Sequence, residues 1–215
     1  PEESIMKNTI GFLLLAMGAL AATSANATSV QTVNPSFESQ VLANGAWTSG
    51  AGQMSGWIQS TGGVINPTTD QFSNGVPHGN NSAWLNSGSA TQTLSALLTA
   101  GSAYTLQVEV GDRKDSNFPG YRVALWAGDN LLASESSLVP NDGFLTSIVH
   151  YTALTGNPLL GQALKIEMHS NGIQVNFDNV RLDVSPVPEP ASQALLLVGL
   201  FGIGAVVRRR AACRH

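Results

Sequence analysis

A small group of side chains in the middle of this chain has the types and spacing to recognise a ring-shaped ligand. Flat aromatic rings stack on the faces of sugars, and a few oriented polar groups fix the ligand's register. Strict alternation along three runs selects the candidates. In Tyr104–Val110, the residues Tyr104, Leu106, Val108 and Val110 read as core-facing, which leaves Gln107 and Glu109 outward. In Tyr121–Ala127, Val123 and Leu125 point inward, and Arg122 and Trp126 point outward. In Ala163–His169, Leu164, Ile166 and Met168 point inward, leaving Lys165, Glu167 and His169 outward. If these strands share one sheet, its outer face carries Trp126, Arg122, Gln107, Glu109, Glu167 and His169. That set makes a sugar-binding face. The alternative is Trp126 as satellite core beneath a loop. Trp47, Trp57 and Trp84 read as core or loop anchors. Asp112-Arg113-Lys114-Asp115 reads as a solvated charged loop, with the lining of a site as its second reading.

Catalysis has thin support in the same residues. There is no Gly-x-Ser-x-Gly elbow, and the single cysteine, Cys213, lies in the basic tail. His78, His150 and His169 show neither His-x-x-x-His nor His-Glu-x-x-His spacing for zinc. Glu109 and Glu167 could face each other as a glycosidase pair, a reading that sequence distance leaves open. The expectation is therefore no catalytic residue and a protein that is not an enzyme. A weak glycan-active enzyme stands as the outlying alternative.

The elements that would position these residues are strands. Of 215 residues, only 11% are charged, well under the usual quarter. The middle of the chain is rich in Ser, Thr, Asn and Gly. Helical periodicity is hard to find there; Thr93–Ala100 is a short exception. Ala43–Gly63 reads as long loops. Gly128-Asp129-Asn130 forms a turn into Leu131–Ala133, and Asn171-Gly172 between two alternating runs signals a hairpin. Parity flips at Asp178-Asn179: Ile173, Val175 and Phe177 put odd positions inward, whereas Val180, Leu182 and Val184 put even ones inward. A β-bulge does this, and so does a strand end at Asp178. Many short strands with turns between them predict an all-β, jelly-roll β-sandwich. Between Thr28 and Val187 there are five basic and eleven acidic residues, a net of −6. Without basic clusters, that balance argues against nucleic-acid binding.

Both ends carry targeting chemistry. Lys7, the apolar run Ile10–Leu20 and Ala25-Asn26-Ala27 follow the order of a secretory signal with an A-x-A cleavage site, cut before Thr28. Pro1–Ile5 precede the initiator Met6 and read as an upstream translation artefact. At the other end, Val187-Pro188-Glu189-Pro190 leads into the uncharged run Ala191–Val207 and then Arg208, Arg209 and Arg210. That run is near the lower length limit for a bilayer span, and the arginines would stay cytoplasmic. Motif, helix and Arg cluster together resemble the PEP-CTERM sorting domain of Gram-negative bacteria that make extracellular polysaccharide. The resemblance implies Sec export, transient anchoring in the inner membrane, cleavage by an exosortase-type membrane protease near Pro188-Glu189-Pro190, and release to the cell surface or matrix. A tail anchor that is never cut is the other reading. The chain divides as a signal peptide with upstream extension (1–27), a β-sandwich domain (28–186) and a sorting signal (187–215). Processing would remove Cys213, leaving a mature domain without thiol chemistry.

A second resemblance rests on the ends of the mature part. Val33-Asn34-Pro35-Ser36-Phe37-Glu38 opens it, and Phe177-Asp178-Asn179-Val180-Arg181-Leu182 closes it. These segments resemble the galactose-binding-like β-sandwich of many carbohydrate-binding modules. The resemblance implies that the two motifs lie side by side and that Glu38 and Asp178 hold a structural Ca²⁺, whose hard-oxygen preference they suit. Otherwise Glu38 caps a local turn and Asp178 hydrogen-bonds within the bulge. Together these readings give an exported, non-catalytic module that associates with extracellular polysaccharide or biofilm. The main alternative is a structural matrix protein that self-associates without binding glycan.

Overall fold

The alternating runs form strands because each can bury one face. The computed structural model describes residues 26–187. The signal segment, Pro188-Glu189-Pro190, the apolar run and Arg208–Arg210 lie outside them. Nine strands follow in order: β1 (Thr28–Val30), β2 (Ile58–Gln59), β3 (Gly63–Ile65), β4 (Ser82–Leu97), β5 (Ser102–Asp112), β6 (Tyr121–Ala127), β7 (Asn130–Glu135), β8 (Gly143–Ala153) and β9 (Ala163–Pro186). Every pairing between them is antiparallel.

Two long strands build the sandwich by crossing from one leaf to the other. The first half of β9 pairs with the second half of β4 on one side and with β6 on the other. With β2 and β7 at its edges, this is leaf A. The second half of β9 pairs with the first half of β4, with β5 and with β1. Adding β3 and β8 completes leaf B. Strands that switch sheets do so at bends or bulges. In β4 the pairing slips between Asn86 and Gly88, and Ser87 takes a positive φ of 47°. In β9 the bend falls at Ser170-Asn171-Gly172.

That bend corrects the hairpin expected at Asn171-Gly172. The flanking runs do not pair with each other; both pair with β4 and continue as one strand. Ile173, expected inside, is 69% exposed at the corner. The parity flip at Asp178-Asn179 is a β-bulge. Gln107 pairs with Arg181 and Glu109 with Asp178, so β9 spends one extra residue there, and Asn179 takes φ 49°. The segment Thr93–Leu97 continues β4 instead of turning helical.

The inner faces of both leaves share one core. Leaf A supplies Ala90, Leu94, Val123, Leu125, Leu164, Ile166 and Met168. Leaf B supplies Leu85, Tyr104, Leu106, Val110, Val175, Phe177 and Leu182. Each fully buried large side chain contributes roughly 1.5–3 kcal/mol. The opening loop closes one flank with Phe37, Met54 and Trp57, whose Phe37 and Trp57 rings lie 5.8 Å apart.

Candidate functional site

The two outer faces of the sandwich differ in chemistry. On leaf B, Ser82 and Trp84 of β4, Asn176 and Asp178 of β9, and Glu109 and Gly111 of β5 point away from the core by register. The loop 66–81 folds over part of this face. Phe72 is buried there with its ring 4.6 Å from that of Phe144 on β8. Gly111 makes this possible, because a Cβ at that position would strike the Phe144 ring.

At the open edge of this cover is a hollow of about 290 Å³ lined by Trp47, Ile65, Gln71, Trp84, Asn86, Arg113 and Gln174. Trp47 meets Trp84 edge-on, with ring centroids 6.0 Å apart, and is itself 61% exposed. A bridge to Ile65 brings the Trp47 loop to this position, and Trp84 Nε1 donates to Thr48 O at 3.1 Å. The polar wall is held from behind. Arg113 forms a bidentate pair with Asp115, and its third nitrogen donates to Gln174 Oε1 at 2.7 Å. Gln174 Nε2 donates to Asn176 Oδ1 at 3.4 Å, and Asn176 Nδ2 donates to Ser82 Oγ at 3.0 Å. These are oriented dipoles in a low-dielectric setting, which fixes the direction of each amide. The Arg113 hydrogen bonds hold the Asp115 carboxyl below its ordinary range. Burial, and then the nearby Asp142, push Asp112 above its own.

Two aromatic walls, three amides and a guanidinium suit one flat ring system bearing an acceptor. The volume lies at the small end for ligand sites. Sequence reasoning missed this pocket. Trp47 and Trp84 come together only through the Trp47–Ile65 bridge, and Arg113 belongs to the loop read first as solvated. In the fold Arg113 lines the hollow, as the second reading of that loop would have it.

The six residues expected on one face divide between the two leaves. Gln107 and Glu109 lie on the outer face of leaf B, where Glu109 accepts from Thr146 at 2.9 Å. Arg122, Trp126, Glu167 and His169 lie on the outer face of leaf A. Arg122, Glu167 and His169 are drawn together through Ser89, and Trp126 lies on the same face beside Lys165. Arg122 donates to Glu167 Oε1 at 2.9 Å, and Ser89 Oγ donates to the same oxygen at 3.0 Å and sits 2.9 Å from His169 Nδ1. The Lys165 ammonium lies over the Trp126 ring at 5.2 Å and pairs with Asp129. Trp126 Nε1 and Arg122 Nε are buried without partners. The Trp126 ring thus lies on this outer face with the Lys165 ammonium over it. Glu109 and Glu167, the candidate glycosidase pair, lie on opposite leaves.

The opening and closing motifs adjoin. Val180 N–H donates to Pro35 O at 2.9 Å, and β1 pairs with Leu182–Val184. Glu38 and Asp178 grip one loop from two sides. Glu38 Oε1 accepts from the amides of Asn80 (2.9 Å) and Asn81 (2.6 Å), and Asp178 accepts from those of His78 (2.8 Å) and Asn179 (2.6 Å). Gly79 is required there: it has φ +76°, and a Cβ would strike the Glu38 carboxylate. Asp178 is fully buried, and burial pushes its pKa up to about 8; the charges of Glu38 and Glu109 add to the shift, and the two amides oppose it. Among the described residues no set of three His, Cys, Asp or Glu side chains converges for a metal. A hard cation here would need amide or carbonyl oxygens as well. Asn81 Oδ1 fits that need, because it is buried without a partner while Asn81 Nδ2 is fixed by Phe37 O and Gln40 O.

The sequence profile of the HpiC1 cyclase family matches residues 28–183. The chain belongs to the HpiC1-like cyclase family. The PEP-CTERM protein-sorting motif matches residues 186–210. It implies export, a membrane-anchored precursor and processing by an exosortase, itself a membrane protein. None of the curated proteins matches the chain. Among solved structures, a cyclase from Fischerella sp. TAU is 30% identical, with a TM-score of 0.70 over 76% of this chain and 100% of its own. A Stig cyclase of the same source, in complex with (3Z)-3-(1-methyl-2-pyrrolidinylidene)-3H-indole, is 29% identical with the same score and coverage. The xylan-binding CBM22-1 domain of Paenibacillus barcinonensis Xyn10C is 14% identical at a TM-score of 0.46.

Proposed function

We propose that the exported domain takes a flat, indole-sized ring compound into the Trp47–Trp84 pocket and closes a new ring on it, as a cyclase. The observation that carries this reading is the pocket itself: two indole walls meeting at an edge, with Arg113 and Gln174 held as oriented donors at its side. It agrees with family membership and with the indole compounds bound by the Fischerella relatives. An isomerising cyclisation asks a protein to fold a flexible substrate so that the reacting carbons meet, and to place a proton. The tryptophans serve the first task. Arg113 and Gln174 orient the substrate's polar end.

The whole length of the crystallised Fischerella cyclase aligns within this chain, so residues 28–187 suffice for the test. Titration with 4-(1H-indol-3-yl)butan-2-one, followed by tryptophan fluorescence and calorimetry, is expected to show saturable binding. Trp84→Ala should weaken it at least tenfold, about 1.4 kcal/mol. Binding unchanged by Trp84→Ala would reject the pocket.

A second reading keeps the module non-catalytic and glycan-binding, associated with extracellular polysaccharide, through the outer face of leaf A. The network of Arg122, Glu167, Ser89 and His169, with the Trp126 ring on the same face, favours it. A panel of oligosaccharides tested against the wild type and Trp126→Ala separates the two readings. Oligosaccharide affinity lost in Trp126→Ala, with no indole affinity, would install the second. A structural Ca²⁺ at Glu38, Asp178 and Asn81 is compatible with either and would clamp the loop 78–81 beside the pocket's cover.

A further inference from the structure

The point where the chain leaves the fold locates a second surface. Val187 is the last described residue, and its N–H donates to Gly101 O at 2.7 Å. Pro186 and Ala153 both pair with Ser102, Gly101 N–H donates to Ala153 O, and the turn at Leu98 is bonded to Gly161 and Gln162. The β6–β7 turn joins the same end through Gly128 N–H to Ala163 O. One end of the sandwich thus comprises the exit point, the turn 98–101, the segment 154–162 and the turn 127–131. The loop over the Trp47–Trp84 pocket lies at the opposite end, where β4 begins.

Only Pro188, Glu189 and Pro190 separate that exit from the uncharged run Ala191–Val207. Three extended residues reach roughly 10 Å. The headgroup layer of a bilayer is itself about 5–8 Å deep on each side. While the precursor is anchored, this end of the domain is therefore held against the lipid headgroups.

Its composition suits that position. Residues 154–162 read Leu-Thr-Gly-Asn-Pro-Leu-Leu-Gly-Gln, without a charge. Leu154 is 69% exposed and Leu131 48% exposed. Between them is a hollow of about 500 Å³ lined by Leu131, Leu132, Tyr151, Leu154, Pro158 and Leu159. Among the described residues of this end, Asp129 of the 127–131 turn is charged, and it pairs with Lys165.

We propose that this end of the sandwich is a phospholipid-contact surface of the anchored precursor, with Leu131 and Leu154 entering the boundary between headgroups and acyl chains. The sorting motif is then presented to the exosortase at the lipid interface, with the domain covering one side. The inference rests on the sorting motif and the exit geometry, and stands whatever the pocket binds.

The test uses the full chain with Cys213→Ser, reconstituted into phosphatidylethanolamine/phosphatidylglycerol vesicles. A single cysteine carries an environment-sensitive fluorophore, at Thr155→Cys near the exit or at Asn74→Cys at the far end. Lipids doxyl-labelled near the headgroup are expected to quench the probe at 155 several-fold more than the probe at 74. Equal quenching would overturn the proposal. Inserting fifteen Gly/Ser residues after Val187 separates lipid contact from mere tethering. Quenching at 155 should persist with the insert and fall to the level at 74 when Leu131→Ser and Leu154→Ser are added. Loss of quenching on insertion alone, or its survival in the double variant, would reject the leucines as a contact surface.

Discussion

The two outer faces of this sandwich start from the same alternating pattern and end with different fates. On leaf A, a carboxylate, Glu167, is buried in a flat sheet surface and answered by Arg122 and Ser89. On leaf B, Asp178 is buried beneath a loop and answered only by backbone amides, with Glu38 and Glu109 as its charged neighbours. The bare face neutralises its charge by pairing. On the covered face, burial instead favours the uncharged carboxyl, raising the Asp178 pKa to about 8. What distinguishes them is the loop between β3 and β4, which turns one face into a roofed site and leaves the other open.

The largest expected consequence of this contrast is a pH dependence dominated by Asp178, the group with the largest shift. Its folded pKa is raised from 3.8 to about 8. A carboxyl raised on folding contributes stability that is fully present below pH 4 and is lost as pH rises through 8. In chelator, the urea midpoint of residues 28–187 should fall across that window, with a limiting slope of about 1.4 kcal/mol per pH unit. Asp178→Asn should flatten the profile, even though its baseline drops as one amide loses its acceptor. Added Ca²⁺ should restore the wild type at pH 8 and leave Asp178→Asn unmoved. A wild-type midpoint that does not fall between pH 5 and 8 in chelator would mean that the charge is already compensated.

Next comes the polar chain beneath the pocket. Asn176 is fully buried, accepts from Gln174 and donates to Ser82. Asn176→Ala removes both bonds at once and should cost about 2 kcal/mol by urea unfolding. Ligand affinity should fall with it, because Gln174 loses the partner that orients it toward Arg113. If the stability cost appears without any change in affinity, the chain supports the fold and not the pocket.

Much of this frame was legible in the sequence. Alternation named the inward residues of β5, β6 and the first half of β9, and the parity flip located the bulge beside Asp178. Three things were not. Alternation tells inside from outside but not which leaf a strand joins, so by alternation alone Gln107 and Glu109 share a face with Trp126, which lies across the sandwich. Asn171-Gly172 carries turn chemistry whether the chain reverses or only bends; β4 running alongside both halves of β9 decides for a bend. The Trp47–Trp84 contact depends on a loop docking to β3, a long-range event without local periodicity.

The smallest expected effect lies on the open face, where it sharpens the contrast. Glu167→Gln keeps an acceptor for Arg122 and Ser89 but removes the charge. The Arg122 side chain is 40% exposed, so water compensates much of its lost partner. The expected cost is no more than about 1 kcal/mol, and it should shrink in high salt because screening already weakens the pair. Indole-ligand affinity should stay within twofold of wild type, since the mutated side chain is on the far side of the core from the pocket. A loss comparable to that of Asn176→Ala would mean that burial of Glu167 outweighs the exposure of its partner, and that the open face is as tightly built as the roofed one.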